Sequence, residues 1–568
     1  MKRELTNTEI SILEERGCTA ENWSEILVDD QFMANYVRNV NFYGKVEIGS
    51  MKGMIDVEEG FQRHSSIQNA TLNNVTIGND CLIENVHGYI SNYSISDNCY
   101  ISNIGTISTQ GTPTFGNGTV ISVLNEGGDG NVVIYDKLTA QIAWLMIHYP
   151  SVREFALQEI ARSPKAEKGT IGQGCRIVGI SEISNAYVYP YCEIQGASHL
   201  SNVTLLSSSD APSFIGPDVI LENSVLAMGA TVTDGAKVDN CFVGESVHIG
   251  KGFSAEASLF FANAYMDNGE SCAALCGPFA CSHHKSTLLI GGEFSFYNAG
   301  SGTNQSNHAY KMGPIHWGTL ERGSKTASGS HILWPAHIGV FSMVMGKLTT
   351  HPRLRNLPFS YVLATGEKTY IVPGINIKTV GTWRDINKWP KRDGRPESAR
   401  RDIIDFSFPN PYIIQFVVAG KELLTTLQEQ QGYDADEYRF EGCYIKHKAL
   451  VDGLKYYDLT LRLFTGEQPT DEWLDLYGMI APKKSIEDLV TDIEEGDIKS
   501  SDEIVESLKT LFTQNKYLYS RPQTTEYAEA ENRWLDMVRR DAEKEFAMGD
   551  VEEQQLTDFL AKVKNAIK

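Results

Sequence analysis

The chain has 568 residues and a formal net charge of −22 at pH 7, and its composition is ordinary for a globular protein, with 42% hydrophobic and 21% charged residues. Because so acidic a chain repels a phosphate backbone, we exclude bulk binding of nucleic acid. No apolar signal region opens the sequence and no apolar window is long enough to span a bilayer, so we expect no membrane association and a cytoplasmic location. In that compartment the ten cysteines are expected to be reduced thiols.

Residues 1–40 are predicted to form an N-terminal helical cap of two short helices. Thr6 or Thr8 is a suitable N-cap for the first helix, and Thr19 begins the second. Such helices commonly cover the open end of a solenoid and hide an edge that would otherwise pair with other strands.

Residues 41–135 contain a six-residue repeat, which predicts a first β-helix block. From residue 77 onward every sixth position is aliphatic or aromatic: Ile77, Ile83, Tyr89, Ile95, Ile101 and Ile107. This period fits neither an α-helix nor an isolated strand. Six residues make one short strand and one turn, so three units close a triangular coil of about 18 residues that stacks on its neighbours.

A small residue follows many of the aliphatic residues by four positions, as in Ile77-Gly-Asn-Asp-Cys81. That position lies at a crowded corner of the coil, where a small side chain is required. Four cysteines occupy it, and we predict that they are buried core residues rather than catalytic residues or metal ligands: Cys81, Cys99, Cys175 and Cys192.

Three further segments follow in the chain. Residues 136–168 show helical spacing divided at Pro150, which predicts an inserted helical hairpin. Residues 169–411 resume the six-residue repeat and are predicted to form a second β-helix block, with irregular His- and Gly-rich coils and a β extension. Residues 412–568 predict an acidic α-helical domain with a solvated face.

The repeat resembles that of the hexapeptide-repeat superfamily, and the whole chain resembles a family of long bacterial members of it. The resemblance implies a mainly β fold: a left-handed parallel β-helix with an N-terminal helical cap, an inserted helical hairpin and an α-helical C-terminal region. Members of this superfamily are often acyltransferases that move an acyl group from coenzyme A to a sugar or amino acid. They use a histidine as general base and commonly form trimers with active sites between subunits, so we expect a homo-oligomer, with a trimer favoured.

Seven of the thirteen histidines lie between His283 and His351, in a segment rich in Gly, Asn and Ser. They could be structural residues, or one could be a general base, because imidazole accepts a proton near neutral pH. The segment 300–311 is similar to the Asn-His segments of sugar-phosphate acetyltransferases, although its Gly-rich part precedes the Asn-His pair. We select His308 as the base and His284 as the second choice, with Lys285 and Tyr310 as further catalytic candidates. The substrate-binding candidates of this segment are Asn304, Asn307, Lys311 and His316.

A metal site is the third interpretation of the histidines. Imidazole ligands suit zinc, iron or nickel, and three protein ligands with an open position make a catalytic site. A divalent metal could be bound by some of four residues: His283, His284, His308 and His316.

The segment 378–401 is basic within an acidic chain, with eight Lys or Arg residues and three Asp or Glu residues. Arginine forks and an indole ring can hold the phosphates and ring of a nucleotide, coenzyme A or sugar phosphate. The candidates are Arg353, Arg355, Trp383 and Arg384. The alternative is that this segment pairs with the acidic helices that follow it.

These observations predict a transferase of the hexapeptide-repeat type, which uses a coenzyme A thioester to acylate a sugar, sugar phosphate or nucleotide sugar. The expected partner is a small, carbohydrate-derived substrate. Two alternatives stay open: a metal-dependent lyase or hydrolase that uses the histidines, and a non-catalytic β-helical scaffold or carbohydrate-binding protein.

Overall fold

The computed structural model describes residues 2–125, 127–128, 130–164, 166–306, 317–519, 524–548, 554–555, 558 and 561–562. These residues form a parallel β-solenoid with an inserted pair of helices and a C-terminal region that contains most of the other helices. Within this part of the chain, no helix has both the length and the apolar character that a membrane span requires.

The α-helices of the described residues occupy three places along the chain. Helix α1 spans Asn7–Glu15, and the inserted pair consists of α2, Ala140–His148, and α3, Pro150–Arg162. The remaining helices are α4 (Val380–Lys388), α5 (Pro411–Gln431), α6 (His447–Arg462), α7 (Lys483–Glu495), α8 (Ser501–Tyr519) and α9 (Thr525–Met548). Short 3-10 helices span Trp23–Glu25, Ala34–Tyr36, Ile375–Lys378, Pro390–Arg392 and Glu397–Ala399.

The solenoid strands form one sheet, in which 36 strands of the described residues pair almost entirely in parallel. In chain order they are Lys2–Glu4, Thr19–Ala20, Ile26–Asp29, Val37–Tyr43, Val46–Ile48, Ser66–Asn73, Thr76–Ile77, Leu82–Val86, Ile90–Ser91, Tyr93–Ile95, Tyr100–Ile104, Thr106–Ser108, Gly169–Ile171, Arg176–Val178, Glu182–Val188, Glu193–Gln195, His199–Leu205, Phe214–Ile215, Ile220–Glu222, Val225–Leu226, Thr231–Val232, Lys237–Asp239, Phe242–Val243, His248–Gly250, Ser254–Glu256, Leu259–Phe260, Tyr265–Asp267, Glu270–Cys272, Leu275–Cys276, Cys281–Ser282, Leu288–Ile290, Glu293–Phe294, Asn304–Ser306, Thr319–Leu320, His331–Leu333 and His337–Ile338.

A six-stranded sheet extends the solenoid and joins it to the C-terminal region. Its strands are Lys325–Thr326, Met343–Met345, Tyr361–Thr365, Lys368–Val372, Glu437–Phe440 and Cys443–Lys446. Three separate antiparallel hairpins pair Met54–Glu58 with Phe61–His64, Thr119–Ser122 with Asn131–Ile134, and Trp473–Leu476 with Met479–Pro482.

The six-residue repeat builds the interior of the solenoid, as predicted. Ile83 pairs with Ile101 of the next coil, 18 residues later, and both side chains are fully buried. In the second block the coil is one residue shorter, since Val232 pairs with Ile249, 17 residues later. Burial of one such side chain per strand is the main stabilising term of a stacked coil.

Tyr89 departs from this register. Its side chain is 41% exposed, and Ile90 takes the interior position and pairs with Ile107. Successive strand residues point to opposite faces, so a slip of one residue replaces the phenol with an aliphatic side chain that fits the narrow interior. The repeat is therefore interrupted at the one aromatic position of the series.

The four corner cysteines are buried, which confirms their predicted place in the core. Three of them donate a hydrogen bond to a carbonyl of the next coil, each with a sulfur–oxygen distance of 3.1 Å: Cys81 to Ser96, Cys99 to Gly172, and Cys175 to Tyr189. Burial raises the pKa of the Cys192 thiol to about 12, so this thiol is neutral and unreactive at neutral pH.

The N-terminal segment contains one α-helix where two were predicted. Thr6 and Glu9 form a capping box at the start of α1. Thr19, expected to begin a second helix, lies instead in the strand Thr19–Ala20, which pairs in parallel with Asn41 and Phe42. Ile26–Asp29 is likewise a strand with alternating burial, so β-branched residues in this segment override the helical signal.

The C-terminal region is also less uniformly helical than predicted. Two β-hairpins interrupt it, at residues 437–446 and 473–482, and Tyr477 and Gly478 form the turn of the second with positive φ angles of 49° and 125°. This hairpin is fastened to the inserted helices, because Gln141 of α2 donates from Nε2 to the carbonyl oxygen of Leu476 at 3.0 Å. These hairpins were not predicted because strands of about four residues are too short to show a clear alternation of apolar and polar residues in the sequence.

Candidate functional site

Two of the cavities on the second half of the solenoid are candidate sites. The larger, with a volume of about 640 Å³, is lined by solenoid residues between Ser246 and Asn298 and by residues between Asp385 and Gly394, and we call it the His283 pocket. The other, of about 500 Å³, lies between the solenoid, the inserted helices and the hairpin at 473–482, and we call it the Glu293 pocket.

Successive coils supply one wall of the His283 pocket. His248 pairs with Tyr265, and Tyr265 pairs with Cys281, so the three side chains occupy equivalent positions on adjacent coils. The imidazole of His248 stacks on the Tyr265 ring with centroids 4.4 Å apart. Parallel strands stand about 4.8 Å apart, so the solenoid itself brings these side chains together.

The opposite wall comes from the basic segment predicted to bind phosphate. Thr379 caps α4, accepting a hydrogen bond from the Thr382 backbone nitrogen, and the helix ends at Lys388 beside the pocket. The 3-10 turn that follows adds Arg392. Lysine in the last turn of a helix also complements the helix dipole.

The pocket holds an excess of cations. Lys251 Nζ lies 2.7 Å from Asp267, whose side chain is fully buried, and Lys388 Nζ lies 2.8 Å from Asp385. Lys325 forms a second ion pair with Asp385. Arg392 forms no ion pair within the described part of the chain. The pocket lining thus contains three cations and two carboxylates, and Lys325 contacts Asp385 from outside the lining. This excess of positive charge favours an anionic ligand.

His283 lies in this pocket beside a thiol. Its Nδ1 is 3.0 Å from Sγ of Cys281, and its ring centroid is 4.2 Å from that of His284. Burial and the neighbouring His284 lower the pKa of His283, so its imidazole is neutral at neutral pH. Burial raises the pKa of the Cys281 thiol to about 11, which makes it a poor nucleophile.

The structure brings some predicted site residues together and separates others. His284 and Lys285 are exposed next to His283, whereas Asn304 lies on the following coil, where it pairs with Leu288 on one side and His331 on the other. Five predicted site residues fall outside the described part of the chain: Asn307, His308, Tyr310, Lys311 and His316. Among the residues that are described, no three His, Cys, Asp or Glu side chains are grouped so that they could hold a metal ion.

The aromatic and arginine candidates have different surroundings from those expected. Trp383 is 7% exposed and packs against Leu535 and Val538 of α9, so its ring faces are covered. Arg384 is exposed on α4, with Nε 3.6 Å from Asp385. Trp389 of the same segment lines the His283 pocket in place of Trp383.

Arg353 and Arg355 lie away from the His283 pocket. Arg353 and Arg355 both line a neighbouring cavity. Arg355 also lines the Glu293 pocket, with Nε 3.4 Å from Glu321. Glu321 also accepts hydrogen bonds from Tyr412, at 2.5 Å, and from His337 Nε2, at 2.7 Å. Burial alone would raise the pKa of Glu321, but the combined effect of these hydrogen bonds and of Arg355 is larger and lowers it, so the carboxylate is ionised.

Four residues of the Glu293 pocket were not among the candidates predicted from the sequence: Glu293, Glu321, Tyr412 and Tyr477. One signal was available, since the repeat places Gly, Asn or Asp in its turns, yet Glu321 and Arg322 stand at such a turn. A charged pair at that position indicates contact with another part of the protein, and Arg322 indeed reaches Asp475 at 2.7 Å.

Comparison with known proteins gives two family matches. The sequence model described as "Domain of unknown function (DUF4954)" matches residues 2–428, and the one described as "Domain of unknown function (DUF6819)" matches residues 460–525. A protein of Treponema pallidum (strain Nichols), described as "Uncharacterized protein", is 24% identical over 576 aligned residues, which cover 88% of this chain and 78% of that protein.

One solved structure resembles the solenoid weakly. It is the UDP-N-acetylglucosamine acyltransferase from Campylobacter jejuni, which is 10% identical and covers 72% of this chain and 90% of its own, with a TM-score of 0.11. A likeness of this size says nothing about activity, so the functional argument depends on the geometry of the pockets.

Proposed function

The chain belongs to the family described as Domain of unknown function (DUF4954), and from the His283 pocket we propose that it is a transferase with a phosphate-bearing donor. The observation that supports this most directly is the meeting of a neutral histidine with an excess of lysine and arginine in one cavity. We propose a coenzyme A thioester as the donor and a sugar or sugar derivative as the acceptor.

The cations serve to bind the donor. Lys388 and Arg392 stand at the end of α4, where they can pair with phosphate oxygens, and Trp389 and Tyr265 supply aromatic surface in the same cavity. A diphosphate brings at least two negative charges, which offsets the excess of cations in this pocket.

His283 serves as the general base. If its proton sits on Nδ1 and points to Sγ of Cys281, then Nε2 carries the lone pair that accepts the proton of an acceptor hydroxyl. The hydroxyl oxygen then bonds to the thioester carbonyl carbon as the carbon–sulfur bond breaks. The departing thiolate takes the proton from His283, which yields an ester and free coenzyme A thiol.

Binding of the donor can be tested before the acceptor is known. We expect coenzyme A at a concentration well above its Kd to raise the melting temperature, whereas pantetheine, which lacks the phosphates, has a much smaller effect. Lys388→Gln together with Arg392→Gln should abolish the shift. Lys391→Gln, an exposed neighbour outside the pocket, is the matched control and should retain it. No shift with coenzyme A would refute this donor.

Measurements of enzymatic activity distinguish the catalytic role of His283 from the binding role of Lys388 and Arg392. With an acceptor found in a panel of sugars and sugar phosphates, His283→Asn should keep the coenzyme A shift and lose at least about a hundredfold in kcat, the usual contribution of a general base. Full activity in this variant would exclude the proposed role of His283.

We also propose that the solenoid is a left-handed coil and that the protein assembles as a trimer, as in the hexapeptide-repeat superfamily. Analytical ultracentrifugation of the 63.1 kDa chain tests the trimer.

The two alternative functions make different predictions in the same experiments. A metal-dependent lyase or hydrolase would need at least one ligand from outside the described residues, for which His308 and His316 are the candidates. Metal analysis of the purified protein tests it directly. A non-catalytic scaffold would show neither a coenzyme A shift nor turnover with any acceptor.

A further inference from the structure

The Glu293 pocket is separate from the proposed transferase site, and its charges are unevenly compensated. Three of its four carboxylates have a cationic partner. Asp475 pairs with Arg322 at 2.7 Å, Glu472 with Lys483 at 2.9 Å, and Glu321 with Arg355 at 3.4 Å. Glu293 is the exception among the described residues of this pocket.

Hydroxyl groups hold Glu293 in place. Thr319 donates to Oε1 at 2.9 Å, and Tyr477 donates to Oε2 at 2.5 Å. Thr319 is the register partner of Glu293 on the next coil, and Tyr477 comes from the turn of the hairpin at 473–482. Each carboxylate oxygen can accept a second hydrogen bond, so the carboxylate keeps acceptor capacity, and none of the described residues neutralises its charge.

Aromatic side chains surround this carboxylate. The pocket lining includes Trp144 and Tyr149 from the inserted helices, Trp317 from the solenoid, and Tyr477. The Trp144 and Tyr149 rings lie with centroids 6.3 Å apart. A cation gains from the faces of such rings and from a carboxylate at the same time.

We propose that the Glu293 pocket binds a small organic cation, a primary or quaternary ammonium compound. The positive group would pair with Glu293, and its carbon skeleton would lie against the aromatic lining. A neutral polyol could use the hydrogen-bond acceptors but would leave the charge of Glu293 uncompensated, and an anion would be repelled by it. This inference does not depend on the proposed transferase activity.

Calorimetric titration of the 568-residue chain with putrescine and with choline tests the proposal. We expect binding of at least one of them and none of glucose at the same concentration. Glu293→Gln keeps the shape of the side chain and removes its charge, and it should weaken binding by about ten- to a hundredfold, as for loss of a charge-assisted hydrogen bond. Glu270→Gln, an exposed carboxylate of another coil outside the pocket, should leave it unchanged.

A second pair of variants does not disturb the carboxylate. Tyr149 is partly exposed at the pocket, so Tyr149→Leu should weaken binding of the cation while Tyr149→Phe retains it. Melting temperatures of the ligand-free variants show whether each one is folded. Binding of glucose in preference to both amines, or equal binding of the amines by Glu293→Gln, would overturn the proposal, and neither result bears on coenzyme A at the His283 pocket.

Discussion

Arg395 donates a hydrogen bond from Nη1 to Oε2 of Glu245 at 2.8 Å, and both side chains are almost completely buried. Glu245 belongs to a solenoid coil, whereas Arg395 lies in the segment that follows α4. The same guanidinium pairs with Asp393 at 2.8 Å, and Glu245 also accepts from the backbone nitrogen of Arg401. This pair therefore fixes the wall that carries Lys388 and Arg392 onto the solenoid.

Replacing one partner of this pair should be strongly destabilising. Arg395→Ala leaves the Glu245 carboxylate buried without its cation, which typically costs about 3–5 kcal/mol of unfolding free energy. The double variant Glu245→Gln, Arg395→Met removes both charges and should recover a large part of the loss. Urea denaturation of the single and double variants measures this coupling, and equal stabilities of Arg395→Ala and the natural protein would contradict it.

Stability should fall as pH rises through the region in which Glu245 ionises. Burial and the neighbouring Asp402 raise the pKa of Glu245 to about 7, above the 4.5 of an unperturbed carboxyl group. Between these values the folded state holds more protons than the unfolded state, so stability decreases with rising pH. The expected loss between pH 4.5 and 7.5 from this group is on the order of 3 kcal/mol. Denaturation of Glu245→Gln over the same range should show a shallower decline.

The solenoid could be predicted from the six-residue repeat because each repeated aliphatic residue is buried in the same way, between neighbouring coils. Ile101 is buried by the coils on both sides, so the pattern of the sequence reports it directly. The His283 pocket could be predicted only in its components, since the contact between the wall carrying Lys388 and the coil carrying Cys281 joins residues about a hundred positions apart. The Glu293 pocket gave still less signal, because three distant segments meet there.

A matched pair of substitutions tests the register of the first block. Ile101→Ala removes a fully buried side chain and should cost about 2–5 kcal/mol. Tyr89→Ala removes a larger side chain at the position equivalent in the repeat, but this side chain is 41% exposed, so the expected loss is below about 1 kcal/mol. If Tyr89→Ala lowers the free energy of unfolding as much as Ile101→Ala does, the phenol must point into the solenoid.

The cysteines should divide into two classes by reactivity. Eight of the ten are buried, whereas Cys272 and Cys281 are partly exposed. We therefore expect iodoacetamide at neutral pH to label at most these two residues in the native protein and all ten in denaturant, because a buried neutral thiol does not react. Mass spectrometry of the labelled peptides measures the pattern, and rapid native labelling of Cys99 or Cys175 would contradict the core assignment.

The protonation of His283 can be measured without knowledge of its substrate. Diethyl pyrocarbonate reacts with neutral imidazole, so the rate of modification at His283 should rise with pH around a midpoint below 6.5, its unperturbed value. Part of the lowering of the His283 pKa comes from the charge of His284, and His284→Asn should therefore move the midpoint upward. Replacement of the exposed Lys285 by Gln is the control, since that residue is not among the groups that lower the pKa. A midpoint above 6.5 in the natural protein would mean that His283 is largely protonated near neutral pH and unsuited to act as the general base.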